Sequence, residues 1–431
     1  MNKIDRALDK LLSQPIFSLF FVFLAVRAND LKKADEAIAR AAGWQSFCGL
    51  RALLWALCAV VALIYVWRLA RGMLRRKSPT LWCLLAMHAV LIAMTLVYHG
   101  ATGYWLNWAA GLALCLLLDM GLQREREATL EAFSLALLAW LLANLPVRIL
   151  IPWGLNGPDS NPLFVPEWLI GNRVFYYRLA FPALAFEMIR AQREEGRYGL
   201  RTLLVFAAVT LTVGLQRGGT ALMGYALLLA MLAFFGRRAL PRYALPITML
   251  GVSVLLFVGL HFFHIQEAFA FLIQRVLGKD MTLNYRADVW TEALDTVKRY
   301  PVTGVGYLPL SYMRELFHST PETPLNHTHN QVLELLFHGG LLALLPFIGM
   351  TAWTSHEALR YRRSPAVKTA AILLMVFLFM GTVDIFHNEP LYYPLFILLG
   401  RADCLAGEED ALPRISFFAR VRRDLKQRKK A

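Results

Sequence analysis

Charge is scarce in this chain: 17% of its 431 residues are Asp, Glu, Lys or Arg, while 57% are hydrophobic. A soluble domain usually carries about a quarter charged residues, and no stretch here stays polar long enough to fold alone in water. Cysteine is scarce too. Cys48, Cys58, Cys83 and Cys115 lie inside apolar runs and Cys404 follows one, which excludes a disulfide framework and a zinc-type ligand pattern. No small-residue cleavage site follows the apolar run 15–26, so a retained first helix is expected in place of a signal peptide. No internal repeat is visible, whereas a repeat would be the mark of many transporters.

What the chain has in quantity is apolar runs of about 15–22 residues, the signature of a polytopic, all-α integral membrane protein. Candidate spans are 15–26, 47–67, 81–98, 104–122, 130–153, 174–188, 202–215, 220–235, 245–263, 332–353, 367–386 and 391–399. The first and last are short, so about twelve transmembrane helices are expected, with ten or eleven also compatible. The formal net charge of +15 is concentrated in short segments: Arg68, Arg71, Arg75, Arg76 and Lys77; Arg190, Arg193, Arg197 and Arg201; Arg237, Arg238 and Arg242; Arg360, Arg362 and Arg363; and the tail after Arg414. Placing all of them in the cytoplasm satisfies the positive-inside rule with every run crossing once and both termini inside. The basic excess is then topological, and no nucleic-acid partner is expected.

One connection differs from the rest. Residues 264–329 contain no spanning segment and fall outside by the odd-even count. Their Arg275, Lys279, Arg286, Lys298, Arg299 and Arg314 are balanced by Glu267, Asp280, Asp288, Glu292, Asp295, Glu315 and Glu322. Val289, Trp290, Leu294 and Val297 predict an amphipathic helix over 287–300, stopped by the Pro301-Val302-Thr303-Gly304-Val305-Gly306 turn. The expected organisation is therefore transmembrane helices in 1–263, a periplasmic loop domain in 264–329, further transmembrane helices in 330–405 and a basic cytoplasmic tail in 406–431. A loop of this length is usually functional.

Three features of chemical interest emerge on that same outer side. Arg217 stands in the short gap between the runs 202–215 and 220–235, Arg286 opens the predicted loop helix, and His327-Thr328-His329-Asn330 precedes the next run. By position alone Arg217 reads as an interfacial snorkelling residue and Arg286 as an exposed charge paired with Asp288 or Asp280. Gathered at one water-facing surface, they point to an anionic lipid-linked substrate. Arginine binds phosphate oxygens bidentately and stays charged near a membrane, and histidine accepts a proton near neutral pH. His329 is expected at a helix start, capped by Asn326 or Thr328, where the positive helix end disfavours imidazolium and favours a pyrophosphate. His327 and His338 compete for the role of base, although His338 should lie about 13 Å deeper on the opposite helix face, where a packed polar residue is the plainer reading. A metal site at His327-x-His329 is not expected, because no carboxylate or cysteine lies near. Arg148, Arg173 and Arg178, at outer ends of apolar runs, are candidates for holding an anionic group. Tyr176 and Tyr177 read as interfacial aromatics, and Asp384 reads as a partner fixing a helix or an arginine.

The segment Leu211-Thr212-Val213-Gly214-Leu215-Gln216-Arg217-Gly218-Gly219, then Tyr285-Arg286-Ala287-Asp288-Val289-Trp290 with the 301–306 turn, then His329-Asn330 with Gly340 beyond, resembles the shared core of O-antigen ligases and O-antigen polymerases. The likeness runs over roughly 203–399, and the chain departs from it at Ala343. The resemblance implies a metal-independent, cofactor-free glycosyltransferase of the GT-C type in the bacterial inner membrane, with its active site facing the periplasm. It implies undecaprenyl-pyrophosphate-linked O-antigen as donor and lipid A-core oligosaccharide as acceptor. Catalysis would fall to His329, Arg217 and Arg286, with Arg173, Arg178, Arg148, His327, Asn330 and His338 binding substrate. A polymerase acting on the same donor lipid is the second reading. A lipid-linked glycan flippase or transporter is the third, and it would require repeat symmetry and midplane charges.

Overall fold

The computed structural model describes residues 15–28, 31–42, 46, 48–74, 78–101, 103, 105–155, 167–169, 171–172, 176–194, 196–216, 219–236, 238–271, 275, 286–318 and 327–406. The helices are α1 (Pro15–Ala25), α2 (Leu31–Ala42), α3 (Gly49–Ala70), α4 (Pro79–Val97), α5 (Trp105–Arg124), α6 (Arg126–Leu150), α7 (Tyr176–Glu194), α8 (Leu200–Gln216), α9 (Gly219–Phe235) and α10 (Pro246–Phe262). They continue with α11 (Arg286–Arg299), α12 (Leu310–Leu316), α13 (Gln331–Arg360), α14 (Pro365–Met380), α15 (Tyr392–Gly400) and α16 (Ala402–Leu405). A two-stranded antiparallel hairpin, Glu167–Trp168 with Gly171–Asn172, is the one departure from the all-helical expectation among the described residues.

Every apolar run picked out in the sequence lies on a helix. Five of these, α3, α4, α5, α6 and α13, are long and apolar enough to cross a membrane. Apolar segments of α1, α8, α9, α10 and α14 are shorter; at 1.5 Å per residue the 17-residue α10 spans about 25 Å, slightly less than a typical hydrocarbon core. The run expected to continue to residue 386 stops at Met380, because Gly381 turns the chain and its carbonyl accepts the Gln331 amide. Helix α2 was not among the sequence expectations. It precedes α3 and caps it: the Asp35 carboxylate accepts the Leu50 amide at 2.9 Å and pairs with Arg51.

Connections gather at two ends of the bundle. At one end, Lys368 bonds the carbonyls of Gly236 and Arg238, Leu240 bonds Arg362, and Arg401 pairs with the buried Asp119, which also accepts the Tyr65 hydroxyl. Buried Glu187 there meets Arg190 and Arg201. Charges inside a bilayer protein are costly unless paired, and at this end the buried Arg190 and Arg401 and the partly buried Arg201 are paired. The other end joins residues 98–101, 148–155, 167–169, 301–310, 327–331 and 381–392, through bonds such as Ala101 N to Tyr307 O and Trp108 Nε1 to Asn388 Oδ1.

The sharpest feature of that second end is a break inside α13. Gly340 takes φ 57° and ψ −157°, a backbone region open to glycine alone. Helical hydrogen bonds from Leu341 to Phe337 and from Leu342 to His338 are therefore lost. The 301–306 segment replaces them. Leu341 N and Leu342 N donate to the carbonyls of Pro301 and Val302, while Phe337 O and His338 O accept from Val305 N and Gly306 N. Irregular backbone at membrane depth is tolerated where its polar groups are satisfied by protein, and four exchanged bonds satisfy them here. The segment is also clamped from the far side by α4: Tyr307 N donates to Thr95 Oγ1 at 3.0 Å. No room is left for a side chain. A Cβ on Gly340 would stand 2.3 Å from the Val302 carbonyl carbon, and one on Gly304 would stand 2.5 Å from Gly339 N.

Gly340→Ala is expected to cost about 3 kcal/mol or more, combining a forbidden backbone angle with a backbone clash. Gly251→Ala in α10, which meets nothing within 4 Å, should be neutral or slightly stabilising. Thermal unfolding of the detergent-purified variants checks both. Equal midpoints for Gly340→Ala and the parent would mean that the break is not a fixed element.

Candidate functional site

The exchange at Gly340 fixes the first turns of α13, and the turn leading into them carries the histidines. Helix α13 begins at Gln331 with Asn330 as its N-cap, its side chain accepting the Leu333 amide at 2.9 Å. Thr328 does not occupy the capping position offered for it by the sequence, and Asn326 lies outside the described residues. His329 instead precedes the cap in the left-handed region, φ 53°, a conformation uncommon for non-glycine residues. Its neighbours hold it there. Thr328 N donates to Glu334 Oε2 at 2.7 Å, Thr328 O accepts the Trp290 indole at 2.8 Å, and Asn330 Nδ2 donates to Thr382 O at 3.0 Å. Every flanking group is pinned, and the His329 ring stands half-buried against His327, 3.9 Å between centroids.

The His329 amide donates to His327 Nδ1 at 3.3 Å. An accepting Nδ1 places the proton of neutral His327 on Nε2. Burial pushes both rings below the usual histidine range; for His329 the neighbouring His327 and Arg286 push the same way, and Asp384 and Glu334 only partly oppose them. His329 is therefore neutral at pH 7, with its shift dominated by desolvation. That is the protonation state a base needs.

Arg286 opens α11 one turn before Trp290, so the indole bond to Thr328 ties the arginine's helix to the histidine turn. It is half-buried, and burial lowers its pKa while Asp384 and Tyr177 raise it; starting from a reference above 12, the guanidinium stays charged. Asp384 lies in the 381–391 connection, which Gln331 draws against α13 by accepting the amides of Phe386 and His387. Burial pushes the Asp384 carboxyl up, but Arg178 and the Tyr177 hydroxyl outweigh it and hold it at about 2. Two guanidinium groups, Arg178 and Arg286, the carboxylates of Asp384 and Glu389, and two neutral imidazoles thus meet where α7, α11, α13 and the 381–391 connection converge.

The other expected substrate ligands have different partners. Arg178 pairs with Asp384 at 2.8 Å and with Glu389, so two carboxylates face the guanidinium expected to hold pyrophosphate. Arg148 stacks over Trp168 at 3.9 Å and donates to the carbonyls of Pro152 and Leu215; it anchors the end of α8 two residues before Arg217. Asn330 uses both ends of its amide as cap and brace. His338 is buried, bonded to Gly306 O at 2.7 Å and Glu334 Oε1 at 3.1 Å, and stacked on Tyr307. It belongs to the clamp around the 301–306 segment. Arg217 and Arg173 lie outside the described residues. Among the described residues no group of three or more His, Cys, Asp or Glu side chains is placed to share a metal ion.

Glu334 escaped the sequence reading. It joins Thr328 and His338, and the signal was available: a carboxylate one turn into an apolar helix needs a buried partner. His338, four residues on, lies on the same helix face.

Residues 202–348 match the family model described as O-antigen ligase. The match spans α8 to the middle of α13 and includes Arg217, Arg286, the 301–306 segment, His329 and Gly340. It supports the O-antigen ligase family over that segment without separating ligase from polymerase. No curated protein matches the chain.

The Arg178–Asp384 pair gives a direct test of the site's frame. Arg178→Gln or Asp384→Asn alone leaves a buried ion short of a partner, and the loss for Asp384→Asn should be the smaller because Glu389 remains; single losses of this kind reach about 3–5 kcal/mol. The double variant should unfold at a higher temperature than Arg178→Gln. Additive losses would show that the two side chains act independently.

Proposed function

We propose that the protein is an O-antigen ligase, transferring polysaccharide from undecaprenyl pyrophosphate to a hydroxyl of lipid A-core oligosaccharide at the outer face of the bacterial inner membrane. The observation that carries the reading is a neutral His329 imidazole, held in a strained backbone conformation beside Arg286, within the segment matching the O-antigen ligase family. Strained residues persist where surrounding structure over-determines them, and they cluster at functional sites. The basic clusters at the opposite end of the bundle support a cytoplasmic assignment for that end, hence cytoplasmic termini and a periplasmic site. The chain is a polytopic membrane protein, and counting its five shorter apolar helices together with α7 and α15 as crossings brings this reading to the twelve-helix GT-C type.

In the transfer, His329 takes the proton from the acceptor hydroxyl as its oxygen attacks the anomeric carbon of the donor sugar. The carbon–oxygen bond to the pyrophosphate breaks, and that oxygen leaves with the bonding electrons. Arg286 and Arg217 stabilise the departing charge, so no divalent ion is needed. In this reading the outer loop and the helix ends form one cavity open sideways to lipid, because neither substrate's greasy anchor can leave the bilayer. Arg148 holds the end of α8 through the carbonyl of Leu215. A polymerase would use the same machinery with another lipid-linked repeat as acceptor. Lipopolysaccharide from a deletion strain separates the two: free polymer retained on its carrier marks a ligase, and a single capped repeat marks a polymerase.

His329→Ala should lower transfer about 100- to 10,000-fold, the usual worth of a general base, while donor binding persists. His338→Ala should act on stability first. Because His329's pKa is depressed, the active neutral form is already complete at the ordinary histidine value of about 6.5. The rate should stay flat from pH 6.5 to 8 on this account and fall only under more acid conditions; a rate that still climbs through pH 7 would contradict it.

Arg286→Lys and Arg217→Lys should each lose most activity despite keeping their charge, since lysine cannot reproduce a bidentate phosphate contact. Transfer should persist in excess chelator. Normal turnover of both variants at equal membrane abundance, or loss in chelator restored by magnesium, would remove the arginines from this role.

A further inference from the structure

A cavity of about 430 Å³ opens between α7, α8, α9 and α14 at the end of the bundle away from the histidines. Its walls include Leu184, Leu203, Phe206, Leu229 and Ile372, and its polar groups gather at one side, where Gln192, Tyr198 and Lys368 stand. Thr202 also lines it, and thirteen residues of α8 separate Thr202 from Leu215, roughly 20 Å along the axis. This is not the transfer site.

The lining has the two-part chemistry of a lipid: an apolar bed for a chain, closed by hydrogen-bonding groups and cations. Lys368 places its ammonium on the wall, 2.8 Å from Gly236 O and 3.0 Å from Arg238 O. Arg238 is exposed beside it, and Arg197, next to Tyr198, is exposed as well. The nearby carboxylate Glu194 pairs with Arg190, so the local balance stays positive. The volume lies in the range of small-ligand sites, and basic pockets between transmembrane helices on the cytoplasmic side suit anionic headgroups.

We propose that this cavity binds an anionic glycerophospholipid of the inner leaflet, one acyl chain between α8 and α9 and its phosphate toward Lys368, Arg197 and Arg238. The inference rests on the membrane orientation proposed above and not on the transfer chemistry. An occupant here braces α8, whose far end carries the Leu215 carbonyl held by Arg148.

Native mass spectrometry of the full chain in detergent, with equal amounts of phosphatidylglycerol and phosphatidylcholine, tests it. Each basic residue engaged is worth about 1 kcal/mol, or about five-fold in retention, so phosphatidylglycerol should be retained at least about five-fold over phosphatidylcholine. Arg238→Glu should erase most of that preference. Ala233→Trp, at the cavity wall, should remove the bound lipid while keeping the thermal midpoint of the delipidated parent. Equal retention of the two lipids, or phosphatidylglycerol retained undiminished by Ala233→Trp, would overturn the proposal. Displacement by equimolar undecaprenyl phosphate would assign the cavity to an isoprenoid chain and overturn it too. Transfer activity is read separately, so a failure of the ligase reading leaves this result interpretable.

Discussion

Four backbone hydrogen bonds exchanged between the 301–306 segment and the broken helix α13 are the constraint on which the candidate site depends. An intact helix would satisfy its own amides and offer the 301–306 segment no backbone groups to bond. Because Gly340 breaks the ladder, Phe337 O, His338 O, Leu341 N and Leu342 N become a docking edge, and the loop becomes part of the bundle. Placement follows from there. The first turns of α13 are set by the break below and by the Asn330 cap above, and Glu334 reaches back from them to hold Thr328. Trp290 adds α11 to the same turn. His329 and Arg286, on different elements, thereby share one surface without bonding each other.

The ionisable groups divide into two populations with different uses. At the end carrying the basic connections, Arg401–Asp119 and Glu187 with Arg190 and Arg201 are buried pairs whose charges are mutually compensated. At the other end the pairing is shared and not one-to-one: Arg178 faces both Asp384 and Glu389, Glu334 holds Thr328 and His338, and Arg286 brings a second positive charge near two neutral imidazoles. The Arg286 guanidinium can stabilise a departing phosphate and helps to keep the nearby His329 imidazole unprotonated. The two effects come from the same charge.

Much of this was legible in the sequence because hydropathy and glycine leave strong marks. Each apolar run is a helix, since a chain with 57% hydrophobic residues has to satisfy its backbone internally in lipid. The 301–306 turn and Gly340 were each visible as motif elements, but not that they interlock, because backbone hydrogen bonds between segments carry no side-chain signature. The helix start was misplaced by two residues: Thr328 and Asn330 are both good caps, and only the bond to Leu333 decides between them. Arg148 and Arg178 drew attention as cations near the outer face. Their partners are a tryptophan, carbonyls and distant carboxylates, and those pairings exist only once α6, α7 and the 381–391 connection are packed.

The central claim is that the His329 turn and the α11 arginine form one transfer site with the Arg217 loop. Electron cryo-microscopy of the protein bound to a lipid pyrophosphate in a nanodisc tests it most directly. The account predicts a diphosphate within hydrogen-bonding reach, about 3 Å, of the guanidinium groups of Arg286 and Arg217, with the anomeric carbon on the side of the His329 ring. A diphosphate bound away from both arginines, or an Arg217 more than about 20 Å from His329, would contradict it, since catalysis of this kind rests on positioning.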